Sequence, residues 1–260
     1  MRLQELFTNE GIHDPSIFKA VFLAGGPGSG KSYVAGKILA NVGLKTVNPD
    51  EALELLMDKE GLRKDMPDDE QEERDVVRAK AKGITGSQQA LYIAGRLGLI
   101  IDGTAKDTSK IAKIKKELEV IGYETRMLFV NTNLDVSIQR NTDRFEKEGG
   151  RKVPAGILKK SWQEVQDNMM RFQQLFGPKS FYIVDNSGGL EDPDRKKNFE
   201  FVWKEMRKFL EEKPKSSVAK KWIDDEGKRD RTPDKSQLGS PFDPDKETSI
   251  PAISPGFSAK

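Results

Sequence analysis

Residues 25–32 read GGPGSGKS, between an apolar run at residues 20–24 (AVFLA) and a stretch in which Val34, Ala35, Ile38 and Leu39 recur at helical spacing. The octet satisfies G-x-x-x-x-G-K-[ST] and lies where that pattern works, at a strand-to-helix turn. Glycines let the backbone wrap closely around phosphate oxygens, and the N–H groups that open the next helix supply partial positive charge. Gly25, Gly26, Pro27, Gly28, Ser29 and Gly30 are therefore expected to cradle the phosphates of a nucleoside triphosphate, with ATP as the expected donor. Lys31 is expected to reach the β- and γ-phosphates, and Ser32 to ligate Mg²⁺.

Outward from this loop, short apolar runs recur at residues 45–47, 97–101, 125–130 and 180–184, each separated by a longer amphipathic or charged segment. Strands buried on both faces read as continuous Val/Ile/Leu/Phe runs, because a parallel sheet carries helices on each side. The pattern predicts an α/β fold of three layers around a mostly parallel five-stranded sheet. Ile111, Ile114, Leu118 and Ile121 mark one helical core face, and Phe199, Val202, Trp203, Met206, Phe209 and Leu210 another. From about Lys213 the composition turns to Pro, Ser, Asp and Lys, which cannot bury enough surface to offset ordering entropy. The expected division is an N-terminal extension (1–19), a catalytic domain (20–212) and a flexible tail (213–260). Trp222 and Ile223 are candidates for local docking, and Phe242, Ile250, Ile253 and Phe257 for anchoring a protein partner.

Composition narrows the chemistry without choosing a substrate. In 260 residues, 44 Lys and Arg face 42 Asp and Glu, so a net charge of +2 gives no bulk reason for nonspecific nucleic-acid binding. There is no cysteine, which excludes disulfides, thiolate metal sites and a cysteine nucleophile. The opening MRLQELFTNEGIHDPS has no apolar run after Arg2, and no stretch approaches a membrane span, so a cytoplasmic protein without membrane partners is expected. The single His13 falls in an N-terminal loop and is assigned no role. The acidic run at residues 65–75, DMPDDEQEERD, reads as a solvated loop and helix start.

Three further clusters carry chemistry. VNPDE ends the second strand, so Asp50 emerges at the carboxyl edge of the sheet, where open α/β sheets bind ligands. There it either accepts the proton of an acceptor hydroxyl or caps the following helix. LGLIIDGTAKD delivers Asp102 into a turn: Asp102 is a candidate Mg²⁺ or substrate ligand, with Thr104 and Lys106 lining an acceptor pocket, or simply a turn residue. In SIQRNTDRFEKEGGRKVP, Arg140 and Arg144 share a helical face, followed by Arg151 and Lys152. Such a group suits a lid over transferring phosphate, with Arg151 on the nucleotide. A solvated charged face, with Asp143, Glu146 and Glu148, is the competing reading.

Taken with GGPGSGKS, the motifs NPD, IIDGT and RNTDR followed by KVP and IL resemble the 5′-kinase domain of bacteriophage polynucleotide kinases and the zeta-toxin-like P-loop kinases, over about residues 20–185. The resemblance implies a P-loop kinase with Mg²⁺ and ATP, Asp50 as general base, and Arg140 and Arg144 on nucleotide or transferring phosphate, Arg144 being the transition-state contact. It implies as acceptor a polynucleotide 5′-hydroxyl or a nucleotide-like hydroxyl, or, following the zeta-toxin branch, a nucleotide sugar or other small metabolite. Polynucleotide 5′-kinases carry an Arg three positions after that Asp, where this chain has Leu53. A D-x-D-x-T phosphatase signature is missing from the region after the kinase motifs, so no 3′-phosphatase activity is expected. A different class, a nucleotide-binding switch whose tail recruits a partner, uses the same loop without phosphoryl transfer.

Overall fold

The computed structural model describes residues 11–103, 106–189 and 191–228. Five strands, β1 (Lys19–Ala24), β2 (Lys45–Val47), β3 (Leu99–Asp102), β4 (Glu124–Asn131) and β5 (Phe181–Asp185), form one sheet in the order β2-β3-β1-β4-β5. Every neighbouring pair is parallel. The helices are α1 (Lys31–Ile38), α2 (Pro49–Glu60), α3 (Gln71–Ala94), α4 (Thr108–Val120), α5 (Leu134–Glu148), α6 (Ala155–Phe176), α7 (Pro193–Glu211) and α8 (Ser217–Lys228).

Period-two alternation explains why the strands read as unbroken apolar runs. In β1, Ala20, Phe22 and Ala24 enter a core with Val165, Phe172 and Phe176 of α6 and Leu118 of α4. Val21 and Leu23 point the other way, into a core with Val34 and Ile38 of α1 and Val202, Met206 and Phe209 of α7. Both faces are covered, so every residue of β1 is buried. This is the expected three-layer α/β arrangement around five parallel strands. A third, smaller cluster of Leu53, Met57, Val77 and Ala81 joins α2 to α3.

Strand order fixes the place for chemistry. Chain order proceeds from β1 across β3 to β2 in one direction and across β4 to β5 in the other, so the carboxyl end of β1 is the switch point of the sheet. The register Leu23↔Asp102 brings the end of β3 level with the glycine loop that follows β1.

Two details depart from the periodicity reading. Trp203 is 42% exposed, although Val202, Met206, Phe209 and Leu210 of the same helix are buried. Its ring instead lies under the Arg207 guanidinium, 5.5 Å away, at the margin of the packed stripe. At the other margin, residues grouped by composition with the extension and the tail pack together. Phe18 is fully buried and meets both Tyr123 and Trp222 edge to face at 5.5 Å. Helix α8 thus lies against the core, with Ala219 buried and Ile223 beside it. Trp222 and Ile223 thus dock locally as expected, on a helix lying within the segment expected to be a flexible tail. The rest of the expected tail, residues 229–260 with its anchor candidates, lies outside the described residues.

Trp222→Ala should lower the free energy of unfolding by about 2 kcal/mol, the value of a partly buried aromatic contact. Urea unfolding against the parent chain measures it.

Candidate active site

The loop at residues 25–30 is built on positive-φ glycines. Gly28 (φ 75°) and Gly30 (φ 82°) occupy the left-handed region, and an added Cβ would lie 2.3 Å from the Ser137 carbonyl oxygen or the Asn186 amide nitrogen respectively. Gly30 is also the N-cap of α1, so the unpaired N–H groups of the first helical turn open toward the loop.

The loop is anchored by the ends of the two strands beyond it. The Ser29 carbonyl accepts hydrogen bonds from Thr132 Oγ1 (3.0 Å), Asn186 Nδ2 (2.8 Å) and Arg140 Nη1 (3.3 Å). Thr132 follows β4 and Asn186 follows β5; three donors on one carbonyl fix the loop's path. Asn186 is held in turn by Arg195, whose Nη2 donates to Asn186 Oδ1 at 2.8 Å and whose guanidinium covers the Phe199 ring at 4.8 Å. Trp162 of α6 closes the same corner through Nε1 to the Thr132 carbonyl, 2.7 Å.

Lys31 folds over the loop, donating to the carbonyls of Gly25 (2.9 Å) and Gly26 (3.4 Å). Burial pushes its ammonium pKa down, while the carboxylates of Asp102 and Asp50 act in the opposite direction and Arg144 adds to the fall. These four charged groups therefore feel one another. Ser32, in the first turn of α1, is exposed.

Asp102 ends β3 in a half-buried position. Asn48 Nδ2 donates to Oδ2 at 3.0 Å, whereas Oδ1 is buried and has no hydrogen-bond partner. Burial raises the carboxyl pKa; Lys31 counters it, and Asp50 and Glu51 raise it further. The partnerless oxygen is a hard donor of the kind that Mg²⁺ takes, as is the Ser32 hydroxyl. Among the described residues, no group of three or more His, Asp or Glu side chains is placed to hold a metal.

The capping alternative for Asp50 is taken by a different residue. Asn48 is the N-cap of α2, accepting from the Asp50 backbone N–H at 2.9 Å, and Pro49 opens the helix. The Asp50 side chain, 59% exposed, accepts instead from Arg151 Nη2 at 3.0 Å. Likewise Asp107, not Asp102, caps α4.

The arginine cluster divides. Arg140 turns to the side of the loop, bonded to the Ser29 and Asn186 carbonyls, and burial lowers its pKa. Arg144 faces α2 and is hydrogen bonded to Glu54. Arg151 is only 10% exposed and joins Asp50. The turn carrying Arg151 is pinned by Asn141, which exchanges two 2.9 Å hydrogen bonds with the backbone of Val153, and by Lys152 N–H to the Lys64 carbonyl, 2.8 Å. Gly150 leaves room for the Arg144 side chain, since a Cβ there would lie 2.8 Å from it. Lys106 is exposed, and its carbonyl accepts from Asn168 of α6 at 2.6 Å. Thr104 lies outside the described residues.

Sequence reading missed Asn48, Glu54, Thr132, Asn186 and Arg195. Glu54 carried a usable signal, one helical turn beyond Asp50. Asn186 did too, directly after an apolar strand at the edge where the other site residues emerge.

This loop, sheet order and flanking helix define a P-loop kinase-like nucleotide-binding fold. The family model of the zeta toxin matches residues 5–198, and the chain belongs to that family. A candidate kinase from Chloroflexus aurantiacus is similar in structure, with TM-score 0.53 at 15% identity, covering 74% of this chain and 97% of that one. A chain of the AvrRxo1-ORF1:AvrRxo1-ORF2 complex with ATP gives 0.51 at 11%, covering 85% and 88%. The PezAT toxin-antitoxin system of Streptococcus pneumoniae gives 0.46 at 15%, covering 81% and 97%. Among curated proteins none matches the sequence. No helix among the described residues is long and apolar enough to cross a membrane.

Gly28→Ala should weaken nucleotide binding at least about 10-fold, because a left-handed L-residue costs 1–2 kcal/mol before the clash with Ser137 is added. Calorimetric titration with an ATP analogue checks it. Unaltered affinity would show that the loop does not hold phosphate.

Proposed function

We propose that the protein is an ATP-dependent phosphotransferase that moves the γ-phosphoryl group onto a hydroxyl of a small, nucleotide-like acceptor. The observation that carries this reading is the placement of Asp50: an uncapped, partly exposed carboxylate at the carboxyl edge of the sheet, within electrostatic reach of the phosphate-loop lysine. A bare nucleotide switch needs the loop but has no use for a second carboxylate there.

In this reading the loop N–H groups and Lys31 hold the triphosphate. Asp50 orients the acceptor hydroxyl and takes its proton as the new P–O bond forms and the bond to ADP breaks. Arg144 and Arg151 neutralise charge on the transferring group. Asp102 and Ser32 would hold Mg²⁺, which when bound supplies charge neutralisation between the β- and γ-phosphates. Arg140, on the flank of the loop, supports its shape and the nucleotide side of the site.

Two features favour a small acceptor over a polynucleotide end. Leu53, standing where polynucleotide 5′-kinases carry an arginine, is 3% exposed and packs with Met57, Val77 and Ala81. The next residue on the site face is an acid, Glu54, and the lid turn abuts Lys64, beside the acidic run at residues 65–75. Both would repel a polyanionic strand.

With radiolabelled ATP, label should pass to members of a panel of nucleotide sugars and other small hydroxyl metabolites. Transfer only to 5′-hydroxyl oligonucleotides would establish the polynucleotide reading instead. Asp50→Asn should cut transfer about 100- to 10,000-fold while ATP affinity stays nearly unchanged. Equal turnover in the two proteins would point to a switch.

A further inference from the structure

We propose that Glu54 is a positioning residue that holds Arg144 and Arg151 against α2 until a triphosphate takes them over, an inference that rests on the phosphotransferase reading above. Glu54 lies one helical turn beyond Asp50, so the two carboxylates share a face of α2 that looks across to the lid. Arg144 donates to Glu54 Oε1, and Arg151 Nε lies 4.0 Å from the same oxygen. Arg151 Nη2 meanwhile donates to Asp50 at 3.0 Å. Two arginines from the lid and two acids from one helix thus form a chain of four charges, Arg144–Glu54–Arg151–Asp50.

That network occupies the groups the reaction needs. Part of the Arg144 donor fork is committed to Glu54, and one Asp50 oxygen to Arg151, so each competes with the γ-phosphate or the proton it would serve. The network is also incompletely satisfied, because Arg151 Nε is buried with no hydrogen-bond partner. A phosphate brings several acceptor oxygens and more negative charge than one carboxylate, so it can draw both guanidiniums away and fill the vacant donor. Glu54, 25% exposed, is left able to reach water when its partner departs, which keeps the exchange reversible. Nucleotide binding therefore proceeds against an internal competitor, and the competitor is Glu54 rather than the catalytic Asp50.

The test is titration of the full chain with β,γ-imido-ATP and Mg²⁺, followed by calorimetry. Glu54→Gln keeps the shape, removes the charge, and should lower Kd about 2- to 5-fold, within the range of partly exposed ion pairs. Arg144→Ala should raise Kd, and adding Glu54→Gln to it should give no tightening beyond any residual effect through Arg151. Steady-state turnover of Glu54→Gln should show a fall in KM for ATP without a rise in kcat. Glu54→Asp, charged but shorter, should fall between Gln and the parent chain. An unchanged or weakened affinity in Glu54→Gln, with the parent chain binding the analogue and transferring phosphate, overturns this proposal alone. If the parent chain binds no analogue, both proposals fall.

Discussion

A parallel sheet covered on both faces can present polar chemistry only at its strand ends. In this protein β1 has no exposed residue, and its two faces feed separate apolar cores. The strand ends supply the floor of the site, with the glycine loop after β1, Asp50 after β2, Asp102 at the end of β3, Thr132 after β4 and Asn186 after β5, while Glu54, Arg140 and Arg144 reach it from α2 and α5 and Arg151 from the turn after α5. The parallel arrangement brings these five ends to one edge, and the reversal of strand order at β1 opens the gap in which the loop sits.

Electrostatics at that edge are nearly balanced before any ligand arrives. Lys31 faces Asp102 and Asp50, and Arg144 and Arg151 face Glu54 and Asp50. Burial works against charge on both sides, lowering the lysine pKa and raising that of Asp102, while each partially restores the other. Such a site carries little net field of its own. Under the proposed function, the negative charge of a triphosphate is met by rearranging these partners rather than by bare cations held in reserve.

Much of this was legible in the sequence, for physical reasons particular to each element. The strands announced themselves because burial on both faces removes polar residues from short runs, and the glycine loop because its spacing tolerates few alternatives. Asp50 and Asp102 were visible as acids ending apolar runs, although their freedom from capping was not: Asn48 and Asp107, each a neighbour of equal capping aptitude, take that duty. The helical spacing of Glu54 from Asp50 was legible, but its partner was not, since Arg144 lies 90 residues away. Asn186 touches Ser29 across 157 residues, a contact that local periodicity does not encode. Trp222 lay in a segment of polar composition whose one apolar face acquires significance only beside Phe18.

The grip of Asn186 on the Ser29 carbonyl ties the loop to the outermost strand. β5 has a neighbour on one side only, and Ile183 within it is 39% exposed, so this rim is one of the two edges from which the sheet can fray. Slackening of the rim releases one of the three hydrogen bonds that shape the phosphate cradle. Ligand in the cradle must then oppose fraying at the rim by the same free energy that fraying takes from the ligand. The border of the sheet, remote from the acceptor side, becomes a thermodynamic gauge of whether the centre is filled.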